Sequence, residues 1–81
     1  MDPSLRLVVE RFRNVGGDAV GLFERDDNFR DLCEDYEACA RTVGRLESEG
    51  PSTEGLRNEY AALLLRLEGE LLRYLEEHPR P

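Results

Sequence analysis

The clearest pattern in the chain runs through Phe29, Leu32, Tyr36, Cys39, Val43 and Leu46, apolar residues separated by alternating steps of three and four. Such steps track one side of an α-helix, which turns once in about 3.6 residues. They predict a helix within residues 26–49, with Asp26 or Asp27 accepting backbone donors at its start. Cys33 and Ala40 widen the stripe, while Arg30, Asp31, Glu34, Asp35, Glu37 and Arg41 fall mostly on the other faces. Glu37 and Arg41 stand one turn apart and can pair. Such a pair adds only about 0.2–0.5 kcal/mol, so packing of the stripe must supply most of the stability.

The run Glu49-Gly50-Pro51-Ser52-Thr53 breaks the pattern: Gly50 suits a helix exit, Pro51 prevents continuation, and Ser52 or Thr53 can cap the next helix. This second long helix is predicted within residues 54–78, its main apolar face built from Leu56, Tyr60, Leu63, Leu64, Leu67, Leu71, Tyr74 and Leu75. The short connection favours antiparallel neighbours. Upstream, residues 2–25 read as short helices. Asp2 and Pro3 begin one that carries Leu5, Val8, Val9 and Phe12, and Asn14 with Gly16-Gly17 ends it. Asp18 caps a second, containing Ala19, Val20, Leu22 and Phe23. The expected fold class is all-α: one small domain over residues 1–81, an antiparallel helical hairpin with one or two short N-terminal helices.

The last helix has more apolar surface than one neighbour covers. At about 100° per residue, Ala61, Leu65 and Leu72 fall together beyond the edge of its main face. With Leu7 they form the candidate partner interface, and pairing of two hairpins into a four-helix-bundle homodimer would hide them. The competing reading makes Leu7, Leu65 and Leu72 scattered surface leucines that need no partner. Gly55 and Gly69 weaken the helix locally; Gly69 either admits another backbone at close range or is a tolerated weakness.

The order of these features, Leu5 to Phe12, then Leu22-Phe23, then Phe29, Leu32 and Tyr36, a polar turn with glycine, and a leucine-rich final helix, resembles the YdcH-like family of short bacterial helical-hairpin proteins. The resemblance covers most of residues 5–77. It implies a leading helix followed by an antiparallel hairpin, and it implies no biochemical activity for particular residues.

Composition narrows the function further. Eighteen Asp and Glu against eleven Arg give a formal net charge of −7, which repels phosphate backbones and anionic lipid. Nucleic acid and membranes are therefore not expected partners. The longest apolar run, Ala61 to Leu65, is far short of the roughly 20 residues that cross a bilayer. Met1-Asp2-Pro3 lacks the basic flank and apolar stretch of an export signal, so a cytoplasmic address is expected. Lys, Ile, Trp and Gln are absent, as codon bias in a GC-rich genome would produce. Cys33 and Cys39 on one helix stand about 9 Å apart at 1.5 Å per residue, beyond disulfide reach, and are expected to be buried thiols.

Candidate chemistry is sparse. The acidic cluster from Asp26 to Glu37 has partial calcium-loop spacing, but Asp31 stands where the loop needs glycine and Arg30 where it needs a ligand. A solvated acidic face is the expectation. Ser4, Ser48 and Ser52 fall at helix ends, where capping explains them, and His78 has no nucleophile to activate. The tyrosines Tyr36, Tyr60 and Tyr74 lie on apolar faces and should bury their rings with the hydroxyls wet. No catalytic residue, metal site or cofactor is expected. The function these features favour is a non-catalytic protein-protein interaction or structural adaptor module. The alternatives are an acidic regulator that binds a basic protein and a weak divalent-metal or small-ligand binder.

Overall fold

In a computed structural model describing residues 1–80, the protein is all-α. Helices α1 (Pro3–Arg11), α2 (Ala19–Arg25), α3 (Asp27–Ser48) and α4 (Glu54–Glu77) follow in order, and a 3-10 turn at Pro51–Thr53 precedes α4. Three helix starts are set by aspartates. Asp2, Asp18 and Asp26 accept the backbone N–H groups of Ser4, Gly21 and Phe29 at 2.8, 3.1 and 3.1 Å, satisfying donors that lack a partner within the helix. Pro3 occupies the first turn of α1, where its missing N–H is no loss.

The turn between the long helices departs from the capping expected of Ser52 or Thr53. Neither side chain caps α4. Thr53 Oγ1 instead points back and donates to the carbonyls of Leu46 and Gly50, at 2.7 and 3.0 Å. Gly50 takes a φ of +95°, the left-handed exit that only glycine adopts without strain.

Helices α3 and α4 lie side by side with opposite sense: Phe29 meets Tyr74, Tyr36 meets Glu68, Cys39 meets Tyr60 and Leu46 meets Thr53. Phe29 and Tyr74 pack edge to face with ring centroids 5.4 Å apart. The whole stripe from Phe29 to Leu46 is buried, as are Leu67, Leu71 and Leu75 of α4. Helices α1 and α2 close the other side of α3 with Leu5, Val8, Ala19 and Leu22. The groove between α1 and α3 runs to Ala40 and Arg41, and the buried Val43 and Leu46 further along α3 lie outside the core cluster that α1 and α2 share with α3 and α4. The result is elongated, 47 × 21 × 21 Å, with a radius of gyration of 13.6 Å. A compact chain of this length would have roughly 12 Å.

The segment between α1 and α2 is tied to the far end of the chain. Gly17 and Pro79 form a single antiparallel β-bridge, and the Asp18 N–H donates to the His78 carbonyl at 2.9 Å. Neither contact is visible as periodicity, because it joins two irregular segments. No helix among the described residues is long and apolar enough to cross a membrane.

Candidate interaction surface

Each residue of the candidate interface can be placed. Leu65 is 69% exposed, while Ala61 and Leu72 are half-buried. All three project from one side of α4 within an arc of roughly 40°, taking about 100° per residue. Leu7 sits elsewhere, against the core and beside Ala40 and Glu37 in an open groove between α1 and α3. The structure thus gathers Ala61, Leu65 and Leu72 on one stripe and gives Leu7 a packing role. Leu56, placed by its spacing on the covered face of α4, is 47% exposed. It lies in the first turn of α4, where α3 is already ending and no third helix reaches.

Beside the stripe lies a polar contact that the sequence did not disclose. Glu68 is only 18% exposed at its side chain and accepts from Tyr36 Oη at 2.7 Å and from Arg11 Nε at 3.1 Å. The Tyr36 hydroxyl is therefore not wet but bonded across the helix pair. Burial, reinforced by the Glu68 carboxylate, pushes the Tyr36 phenol up to about 12. One carboxylate oxygen so joins α1, α3 and α4. The only sequence signal for it is an acid on the margin of a leucine-rich face, which many solvated helices share.

Arg30 is a second missed role. Placed by its spacing on the polar face of α3, it turns back to donate to the carbonyls of Phe23 and Glu24 at 3.1 and 3.3 Å, lies 5.6 Å over the Phe23 ring and pairs with Asp27 at 2.8 Å. It thereby satisfies the orphan carbonyls at the end of α2. Glu37 and Arg41 form the expected one-turn pair at 3.3 Å. Asp31, Glu34 and Asp35 are exposed. No group of three or more His, Cys, Asp or Glu among the described residues is placed to hold a metal ion.

The thiols of Cys33 and Cys39 are both free and buried. Burial pushes Cys33 up to about 12, which leaves it protonated and unreactive. Cys39 Sγ contacts the Tyr60 carbonyl at 3.3 Å, and burial raises its pKa as well. His78 donates from Nδ1 to the Tyr74 carbonyl at 2.9 Å and stacks on the Tyr74 ring, serving the end of α4. Ser4 is buried and bonded to Asp2, and Ser48 donates to Arg45 in the last turn of α3.

A hollow of about 260 Å³ opens between α1, the 12–18 segment and the end of α4, floored by Val8, Phe12, Ala19 and Leu75. Small-molecule sites usually enclose about 300–1,000 Å³ with convergent polar groups. No nucleophile paired with a base lines it. Leu65, on the apolar side of α4, is the most exposed leucine among the described residues. The chain shows no significant match to a family model, to a curated protein or to a solved structure.

Proposed function

We propose that the protein is a non-catalytic protein-protein interaction module or small structural adaptor that works through the second apolar side of α4. A second copy of the chain is its first partner, two helical hairpins joining as a four-helix bundle. The observation that supports this most is Leu65, 69% exposed in line with half-buried Ala61 and Leu72. Complete burial of a leucine side chain is worth about 1.5–3 kcal/mol, so covering what Leu65 leaves open contributes roughly 1–2 kcal/mol per copy. The likeness to the YdcH-like family belongs to this proposal and carries no activity onto particular residues.

Sedimentation equilibrium at micromolar concentration tests it. The expected result is a dimer that Leu65→Glu converts to a folded monomer. A wild-type monomer, with the stability of Leu65→Glu unchanged, would remove the reason for proposing a partner. The exposed acids Asp31, Glu34 and Asp35, on a chain of net charge −7, favour a second reading as an acidic regulator of a basic protein. Salt separates the two: capture lost in moderate salt indicates the acidic face, whereas capture lost only in Leu65→Glu indicates the apolar one.

A further inference from the structure

We infer that two copies of α4 pair antiparallel in a register centred at the level of residue 67, so that Leu65 of one copy seats over Gly69 of the other. This rests on the self-association proposed above and specifies its geometry. Along the outward side of α4, Asn58, Ala62, Leu65, Gly69, Leu72 and Glu76 succeed one another by alternating steps of four and three. That is the spacing of a coiled-coil seam. All six are exposed except Leu72, which is half-buried.

Within the seam small and large residues alternate: Ala62, Leu65, Gly69, Leu72. Two parallel copies in register would set leucine against leucine and glycine against glycine, crowding one layer and leaving a void in the next. Reversing one copy sets Leu65 opposite Gly69 and Ala62 opposite Leu72, so every layer joins a large residue to a small one. The same reversal brings Asn58 to Glu76 and Glu59 to Arg73, twice each across the twofold axis. Glu59 and Arg73 thus set opposite charges against each other on one rim of a chain that is acidic as a whole. Arg66 faces its own copy near the axis and has Glu70 one turn further along its own helix. Residue 67 lies close to the middle of Glu54–Glu77, so the helices overlap over about 30 Å at 1.5 Å per residue.

Gly69 supplies a separate argument. Its φ is not positive, and nothing lies within 4 Å of a β-carbon built there. Gly44 and Gly55 share that freedom, and Gly69 differs from them in standing on the seam between Leu65 and Leu72. A second helix arriving at close range gives the missing side chain a purpose.

Cysteine cross-linking tests the register. Cys33 and Cys39 are 0% and 4% exposed and do not compete. Under mild oxidation a mixture of Leu65→Cys and Gly69→Cys chains should form an interchain disulfide, whereas neither variant alone should. Cross-linking of Leu65→Cys with itself in a dimer would overturn the antiparallel register while leaving self-association intact. A wild-type monomer at micromolar concentration would overturn both. Gly69→Leu has open space in its own chain and should keep the helical content of the wild type while weakening dimerisation by about a hundredfold, through overpacking at two sites. Dimerisation of Gly69→Leu as tight as the wild type would also refute the seating of Leu65.

Discussion

Two glycine-to-alanine substitutions probe opposite features of the packing. A β-carbon built at Gly17 would lie 2.6 Å from Leu75 Cβ and 2.8 Å from Leu75 Cα. Carbon atoms rest at about 3.5–4.0 Å, so roughly 1 Å must be regained. The Leu75 side chain cannot simply swing aside, because its α-carbon belongs to α4. The 12–18 segment cannot simply retreat either, since its bridge to Pro79 and the bond from Asp18 to His78 hold it in place. Overpacking of this kind costs about 1–3 kcal/mol. For a chain of this size each kcal/mol moves the midpoint by about 4–8 °C, so Gly17→Ala should lower Tm by about 5–20 °C. Gly44 provides the control. It lies within α3 with nothing within 4 Å of a β-carbon and without a positive φ. Gly44→Ala should therefore stabilise by about 0.5–1 kcal/mol through helix propensity alone. Far-ultraviolet circular dichroism melts of the two variants and the wild type read the effect. If Gly17→Ala melts with the wild type, the 12–18 segment is not seated against α4 and the reasoning fails.

High pH should destabilise the protein. Burial pushes Cys33 up to about 12 from 9.0, and burial together with Glu68 pushes Tyr36 up to about 12 from 10.0. Both groups stay protonated in the folded chain at a pH where the unfolded chain has released its protons. Stability is therefore full below about pH 9 and is lost as pH rises toward about 12, Cys33 alone giving a slope of about 1.4 kcal/mol per pH unit. Urea midpoints measured at about pH 8 and about pH 10.5 should differ, and less so in Cys33→Val; equal midpoints would contradict the burial of both groups. Tyr36→Phe removes the 2.7 Å bond to Glu68 and should cost about 1–2 kcal/mol in urea unfolding. Arg11→Ala should cost less, because Arg11 is mostly exposed, and the reverse order would show that the ion pair dominates.

Much of this architecture is readable residue by residue. The stripe from Phe29 to Leu46 can be found because helical periodicity is local, and the caps at Asp2, Asp18 and Asp26 because each acts within three residues of itself. The outlying position of Leu65 on α4 comes from the same periodicity. Contacts between elements are not readable. Nothing in the sequence marks Glu68 as the acid that Tyr36 and Arg11 share, 32 and 57 residues away along the chain. Arg30 looks like any surface arginine until α2 is folded back against α3. Leu56 is misplaced by its spacing for the converse reason: periodicity gives the direction of a side chain but not whether a neighbour extends far enough to meet it. Thr53 has the residue type and position to serve the helix after it, yet its hydroxyl serves the one before.

The change in thickness along the molecule grades its local stability. Near Phe29 and Leu71 four helices share the core, whereas near Val43 and Leu46 only α3, α4 and their connection do. Opening the thin end uncovers Val43 and Leu46 yet leaves Phe29 and Leu71 sealed, so partial unfolding unzips from the 49–53 turn toward the thick end. Hydrogen exchange should therefore reach the backbone amides in the last turn of α3 before those flanking Leu71.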